Sequence, residues 1–185
     1  MQVEVTTWSL EMLQPSGVVA APRPDLDLDL VRAQRPSPEL GRFLYTAVGG
    51  NWYWIDRLAW SYERWLAWLA RAGCETWVAY LEGTPAGYFE LDGSSVSEVE
   101  IAYFGLLPQF IGAGLGGWLL TRALTRAWEL GPRRVWVHTC SLDGANALAN
   151  YEARGMRVSN VEKGLQELPP EPPGPWPGAR PAVSY

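Results

Sequence analysis

Four glycines within six residues, followed at once by an apolar-striped segment, constrain the fold of this chain more than any other feature. The glycines are Gly112, Gly114, Gly116 and Gly117, and the helical pattern behind them runs to Glu129. With the apolar residues before them, they predict a strand, a tight turn and a helix over residues 99–129. Such a turn leaves backbone N–H groups free at a helix N-terminus, where the helix dipole favours an anion. The pattern therefore predicts a phosphate-bearing ligand.

The same glycines allow two other interpretations. Gly112-x-Gly114-x-x-Gly117 also fits the loose dinucleotide-binding pattern, and a glycine turn can simply let a helix pack closely on a sheet. A dinucleotide-binding oxidoreductase would need repeated strand–helix–strand units, and only one is visible. That enzyme class is kept as the least favoured alternative.

The segment Leu106–Gly116, LLPQFIGAGLG, resembles the coenzyme A loop of the GNAT superfamily of N-acetyltransferases. The usual loop has an apolar strand end, a proline, and Arg/Gln-x-x-Gly-x-Gly/Ala opening a helix. Gln109 fits the Arg/Gln position in one register, and Ile111 stands there in the other. The family binds the cofactor pyrophosphate largely through backbone amides, which any residue can donate.

A second resemblance to the same family follows about thirty residues downstream. The stretch is Ala147-x-x-x-Tyr151-Glu152-x-x-Gly155-Met156, against the family's Ala-x-x-x-Tyr-Glu-Lys-Leu-Gly-Phe. The Asn that usually stands seven residues before the Tyr is Gly144 here, with Asn146 two residues later. Together the two stretches cover about a third of the chain.

The resemblance implies an α/β fold: a GNAT-like, central, mostly antiparallel sheet with a splayed strand pair and helices on both faces. Antiparallel strands followed by one crossover independently favour a mixed sheet. We expect one acyltransferase domain over residues 1–168, with an extra N-terminal strand, and a proline-rich tail over 169–185. The implied activity is N-acetyl transfer from acetyl-CoA to an amine by direct transfer in a ternary complex. The alternative is an inactive acyl-CoA sensor of the same fold.

The resemblance also implies roles for individual residues. A backbone amide near Leu106 would donate to the thioester oxygen, and Tyr151 would protonate the departing thiolate, since a phenol of pKa about 10 stays protonated. Glu100, six residues before Leu106, stands where some members carry a catalytic Glu, although many members have no dedicated base. The predicted cofactor-binding residues are Leu106, Gln109, Phe110, Ile111, Gly112, Ala113, Gly114, Leu115, Gly116, Asn146 and Tyr151.

The acceptor is expected to meet the aromatic segment after Gly49-Gly50. Trp52 and Trp54 could present ring faces to a cationic or apolar group, with Asp56 as a charge partner. Glu98, two residues before Glu100 and on the same side of the strand, is a further predicted substrate-binding residue whose carboxylate could accept the amine proton. A small-molecule or peptide amine fits equally well. His138 and Cys140 alternate onto one face of a predicted strand, so a covalent route in which the thiol first takes the acetyl group is a minor alternative. A structural role for both is favoured, and we predict no metal site.

Local patterns predict the remaining elements. Expected strands cover residues 3–7, 26–30, 76–81, 87–91, 97–107 and 133–137; expected helices cover 38–47, after the cap Ser37, and 56–72; a turn covers 82–85, and a closing hairpin 156–168.

Charge and composition exclude other classes. A net charge of −5 argues against nucleic acid, and there is neither a signal-like N-terminus nor a run of about 18 apolar residues. Two cysteines fit a reducing compartment. We therefore expect a cytoplasmic protein with no membrane or nucleic-acid partner, and keep a homodimer open.

Overall fold

The computed structural model describes residues 1–179 as a seven-stranded sheet with helices on both faces. The strands are β1 (Gln2–Met12), β2 (Leu28–Arg32), β3 (Cys74–Leu81), β4 (Thr84–Asp92), β5 (Glu98–Leu106), β6 (Arg134–Cys140) and β7 (Arg157–Glu167). The α-helices are α1 (Pro38–Gly49), α2 (Tyr62–Leu69), α3 (Leu115–Glu129) and α4 (Ala147–Ala153), and short 3₁₀ turns cover Pro15–Gly17 and Pro108–Phe110.

The strand order is β2-β3-β4-β5-β6-β1-β7, and every neighbouring pair is antiparallel except β5 and β6. These two run parallel because α3 carries the chain across the sheet between them. They pair only from Glu98 opposite Arg134 to Glu100 opposite Trp136. Beyond that point they part, leaving a wedge between residues 101–106 and 137–140. The predicted mixed sheet with a splayed strand pair is confirmed.

Each face of the sheet has its own apolar core. On one face α3 buries Leu119 and Leu124 against Leu91 and Ile101, all at most 1% exposed. On the other face Leu44 and Val48 of α1 pack on Val78 and Tyr88. Because strand side chains alternate between faces, neighbours on β4 serve opposite cores. The wedge is therefore enclosed by helices α3 and α4 on one side and faces α1 and its following loop on the other.

Local signals explain several element boundaries. The Ser37 hydroxyl accepts a hydrogen bond from Leu40 N at 3.2 Å, and Pro38 opens α1, as predicted. Glu82 and Gly83 both have positive φ, so the hairpin turn predicted over residues 82–85 is a two-residue turn, and Thr84 and Pro85 already belong to β4. The second helix is shorter than predicted. It begins at Tyr62, because Ser61 caps it through Arg64 N, and the residues before it form turns.

The prediction of a closing hairpin over residues 156–168 is wrong. The segment forms one strand, β7, and pairs with the N-terminal strand β1 from Gln2 opposite Glu167 onward. β1 is longer than expected and lies inside the sheet, with Leu10 fully buried. Local periodicity carries no information about a partner more than a hundred residues away, so the pattern indicated strands but not their pairing.

The described part of the proline-rich tail returns to the body of the molecule. Leu168 N donates to Met1 O at 2.9 Å, and Gly174 N donates to Gly50 O at 2.9 Å, beside the end of α1. Residues 169–179 contain no helix or strand, as their prolines predict. Residues 180–185 of the predicted tail lie outside the described part of the chain.

Candidate active site

The wedge between β5 and β6 exposes backbone donors on the open edge of β5. Leu107 N donates to Ala86 O of β4 at 2.9 Å. Successive amides along a strand point to opposite sides, so the amide of Leu106 points away from β4 and into the wedge. The structure thus places this amide where an extended ligand could add to the sheet edge.

The glycine turn stands at the mouth of the wedge and is open to solvent. Gly112 has φ +88° and Gly114 has φ +78°, values that side-chain-bearing residues rarely adopt, and no atom lies within 4 Å of a Cβ placed on either. Gly114 caps α3 without any side-chain hydrogen bond. The first amides of α3 therefore have neither an intrahelical partner nor a side-chain cap, and they form a nest suited to an anion.

Arg154, which the sequence analysis did not single out, lies at the same helix end. Its Nη1 is 2.5 Å from where a Cβ on Gly117 would stand, and it forms no ion pair with any residue among 1–179. Nearby, Asn150 Nδ2 donates to Gly116 O at 3.4 Å. A guanidinium and a helix N-terminus thus converge on one place. The available signal was an Arg inside the Tyr-Glu-x-x-Gly stretch.

Tyr151 comes to the wedge from α4. It is 6% exposed and packs edge-on against Phe104 of β5, with ring centroids 6.0 Å apart. Its hydroxyl has no hydrogen-bond partner within the described chain. Burial raises the pKa of Tyr151 well above its ordinary value, and the nearby charge of Asp143 raises it further. The phenol is therefore protonated throughout the neutral range and free to donate.

Glu100 and His138 meet on the opposite face, where the two strands begin to part. His138 Nδ1 lies 3.4 Å from Glu100 Oε1, and their side chains are 53% and 20% exposed. The hydrogen bond to Glu100 is the main cause that raises the pKa of His138; burial opposes it, and Asp143 and Asp56 add to it. The structure thus brings the predicted base Glu100 against a residue that was interpreted as structural.

The loop after α1 reaches across the wedge to the loop after β6. Asp143 accepts hydrogen bonds from Thr139 Oγ1 at 2.6 Å and from Cys140 N at 2.9 Å, and Trp54 Nε1 lies 3.5 Å from its other oxygen. The Trp52 ring lies 3.7 Å from the Cβ position of Gly144. The two tryptophans predicted to bind the acceptor are therefore both placed at the mouth of the wedge.

Asp56 is fixed at the same mouth by a tyrosine of β5. Its Oδ2 accepts from Tyr103 Oη at 2.7 Å, and the Tyr103 ring packs against Trp54 with centroids 4.8 Å apart. Asp56 remains exposed. This arrangement gives one face of the wedge a lining of aromatic rings and carboxylates.

The acceptor-side loop is anchored by a buried arginine. Arg57 is 4% exposed and its Nη1 donates to Glu90 Oε1 at 2.9 Å, which also accepts from Trp68 Nε1 at 2.7 Å. The guanidinium carbon lies 4.2 Å from the ring centroids of both Trp68 and Tyr103. Arg57 thus holds its neighbour Asp56 in place, and no sequence pattern indicated that it is buried.

Three predicted site residues lie apart from this group. Glu98 accepts from Arg134 Nη1 at 2.9 Å, before the strands part. Asn146 is exposed at the start of α4 and makes no capping hydrogen bond, and Gln109 is exposed in the turn before Gly112. The remaining predicted cofactor residues, Phe110, Ile111, Ala113 and Leu115, follow one another along the glycine turn.

A mixed sheet that splays beside a free glycine turn defines an acetyltransferase fold of the GNAT type. The sequence profile of the Acetyltransferase (GNAT) family matches residues 41–156, and the chain belongs to this family. The sequence resemblance is thereby confirmed. A comparison with curated proteins gives no match.

Solved structures of the same fold resemble the chain at low identity. A GCN5-related N-acetyltransferase from Kribbella flavida aligns with a TM-score of 0.64 and 17% identity, over 89% of this chain and 59% of that one. One from Sphaerobacter thermophilus aligns at 0.59 and 15%, over 87% and 50%. An aminoglycoside acetyltransferase from an uncultured soil metagenomic sample, in complex with sisomicin, aligns at 0.53 and 18%, over 69% and 85%. The chain thus spans about half to three-fifths of the first two.

Two surveys of the described residues bear on other classes of site. None of the helices within residues 1–179 is both long enough and apolar enough to cross a bilayer. Over the same residues, no three His, Cys, Asp or Glu side chains are grouped so as to hold a metal ion.

Proposed function

We propose that the protein is an acetyl-CoA-dependent N-acetyltransferase that transfers the acetyl group directly to an amine. One observation carries the proposal: the uncapped anion nest at the start of α3, with Arg154 beside it, opens onto the wedge. A diphosphate in the nest would leave the pantetheine arm to run along the free edge of β5. Membership in an acetyltransferase family supports the same cofactor.

The residues at the wedge would each serve one step. The amide of Leu106 would donate to the thioester oxygen, whose charge grows in the tetrahedral state, so that this hydrogen bond strengthens as the reaction proceeds. The phenol of Tyr151 would give a proton to the departing thiolate. Gln109, exposed in the turn before Gly112, and Asn146, exposed at the start of α4, are proposed as further cofactor contacts.

The acceptor proposed here is a cationic small-molecule or peptide amine. The mouth of the wedge is lined by the carboxylates of Asp56 and Asp143 and by the ring of Trp54. Carboxylates and aromatic ring faces both attract a protonated amine. The structural neighbour in complex with sisomicin supports an amine-rich acceptor of this kind, although its likeness extends to the fold alone. Glu98 lies farther from the wedge, so its carboxylate would contact only a longer acceptor. We place the activity in the cytoplasm.

Calorimetric titration with acetyl-CoA and, separately, NADH tests the cofactor. We expect micromolar to millimolar binding of acetyl-CoA and none of NADH; the reverse would favour the oxidoreductase alternative. Release of free thiol across a panel of amines then tests turnover. A protein that binds acetyl-CoA but releases no thiol with any amine would be a sensor, not an enzyme.

A further inference from the structure

The last residue pair before the sheet opens lies beside an unassigned imidazole. Glu100 and Trp136 are the final β5–β6 partners, and His138 is the next residue of β6 on that face. Val135 and Val137 are buried beneath α3, so Trp136 and His138 point to the opposite face. That is the face on which Trp54 and Asp56 line the wedge.

We propose that His138, oriented by Glu100, is the general base that removes the proton from the acceptor amine. The inference rests on the proposed N-acetyltransferase function and adds a catalytic residue to it. Nδ1 of His138 faces the Glu100 carboxylate at 3.4 Å, and a carboxylate at this position favours the tautomer that carries its hydrogen on Nδ1. In the neutral ring the lone pair is then on Nε2, and the half-exposed side chain leaves that nitrogen open to the acceptor.

An imidazole suits this task better than a carboxylate. The ordinary pKa is about 6.5 for His and about 4.3 for Glu, whereas an alkylammonium titrates near 10. Proton transfer is most effective when the pKa of the base lies near the working pH. The carboxylates of Glu100 on β5, Asp143 after β6 and Asp56 after α1 all face His138 and favour its protonated form, while burial opposes them. Cys140 is on the same face of β6, and so is Glu11 of the neighbouring strand β1, which accepts a hydrogen bond from Arg134.

The proton balance of the reaction closes with these residues. Nε2 of His138 accepts a proton from the ammonium and passes it to solvent through the exposed part of the ring. The free amine attacks the thioester carbon, so that the C–N bond forms and the C–S bond breaks. The thiolate takes the proton of Tyr151, which leaves a phenolate. After the attack, the nitrogen of the new amide gives its second proton to this phenolate and restores the phenol. One proton is released in total.

The chain contains a single histidine, which makes the pair directly measurable. In untagged protein labelled at histidine, the ring NMR resonances report only His138. We expect its titration above 6.5 in the wild type and a fall toward or below 6.5 in Glu100→Gln, which removes the charge but keeps the shape. This readout requires no turnover. A titration that does not move in Glu100→Gln would overturn the pairing.

Kinetics with an active amine test the role of the pair. We expect His138→Gln to lower kcat/KM for the amine by about 100-fold or more, without changing the affinity for acetyl-CoA, and to abolish the rise of rate with pH. Glu100→Gln should shift that rise to lower pH and should lower kcat/KM less than His138→Gln does. Cys140→Ser, two residues along the same face, is the matched control and should keep the wild-type profile.

The opposite ranking would refute the assignment. If Glu100→Gln were the more damaging variant and His138→Gln kept the pH profile, the carboxylate would be the base. Calorimetric titration with acetyl-CoA tests the proposed function separately, because loss of cofactor binding would contradict that function while leaving the NMR titration of His138 unaffected.

Discussion

Arg154 lies beside the anion nest, where its positive charge is unfavourable unless an anion is bound there. A helix N-terminus carries partial positive charge, and a cation there costs about 0.3–1 kcal/mol. Arg154 has no ion-pair partner within residues 1–179 and lies against the first turn of α3. Such a charge is readily explained if its partner is a phosphate of the cofactor.

Arg154→Met should therefore change stability and binding in opposite directions. Without ligand, the free energy of unfolding should rise by about 0.3–1 kcal/mol, because methionine keeps much of the apolar stem and removes the charge. The affinity for acetyl-CoA should fall about tenfold, equivalent to about 1.4 kcal/mol. Urea denaturation and calorimetry measure the two effects.

Arg133→Met is the matched control, since Arg133 is exposed, forms no ion pair within the described chain and follows the far end of α3. Acetyl-pantetheine, which lacks the diphosphate, should bind the Arg154 variant as it binds the wild type. Equal losses for both ligands would contradict a phosphate contact.

The buried pair of Arg57 and Glu90 should dominate the stability of the acceptor-side loop. Arg57→Met leaves a carboxylate that is 2% exposed without its cation, which costs about 3–5 kcal/mol at neutral pH. Burial is the main cause that raises the pKa of Glu90, and Arg57 opposes it. Removing Arg57 raises that pKa further. With a raised pKa in the folded state, Glu90 takes up a proton more readily in the folded protein than in the unfolded chain. The stability gained from this proton is present at low pH and is lost as the pH rises, so the Arg57 variant should be less destabilised at pH 5 than at pH 8.

Urea denaturation at the two pH values measures this loss. Arg64→Met is the control, because Arg64 stacks on Trp60 at 4.5 Å but is exposed and lies outside the ion pairs of the described residues. We expect it to cost less than about 1 kcal/mol. Equal destabilisation by both variants would show that the buried pair contributes no more to the free energy of unfolding than an exposed arginine does.

Among the elements, the glycine turn is the one whose backbone conformation matters most. Gly114→Ala introduces no clash, because nothing lies within 4 Å of its Cβ position, but it places a side chain at φ +78°. We expect a loss of about 1–2 kcal/mol of stability and weaker acetyl-CoA binding as the turn relaxes. Gly131→Ala has the same open surroundings at φ +81°, after the far end of α3.

Thermal or urea denaturation should therefore show similar losses for the two alanine variants, whereas calorimetry should show weakened cofactor binding only for Gly114→Ala. Weakened binding in the Gly131 variant would mean that general instability, not the nest, controls affinity.

The sequence predicted elements whose signals are local and missed arrangements that depend on distant residues. Ser37-Pro38, Glu82-Gly83 and the glycine turn all act through their own backbone, and each stands where it was expected. The position of β1 between β6 and β7 depends on pairing across most of the chain. The burial of Arg57 and the contact of His138 with Glu100 likewise arise from tertiary packing, which overrides the ordinary preference of these residues for the surface.

At the scale of the whole molecule, strand β7 is a long, exposed edge of the sheet. All eleven of its residues are exposed. An irregularity in its pairing at Ser9/Leu10 of β1 brings Val158, Val161 and Leu165 onto one face. The outer side of an edge strand offers N–H and C=O groups with which a strand of another chain can pair. We propose that a second copy covers this edge and forms a homodimer.

Light scattering after size-exclusion chromatography tests the dimer. We expect the wild type to have the mass of two chains, and the double variant Val161→Lys, Leu165→Lys to have the mass of one. Val31→Lys, on the opposite edge strand β2 and also half exposed, is the control and should remain dimeric. A monomeric wild type would rule out this assembly.

The interior position of β1 has a consequence for the newborn chain. Strand β1 pairs with residues 135–140 and 157–167, so about 120 further residues must be synthesised before its first partner is complete. At about 5–20 residues per second, that wait lasts roughly 6–30 s. During it, Leu10 and Met12, which are buried in the folded protein, are exposed to solvent. The nascent polypeptide thus passes through a long interval in which this strand has neither of its native partners.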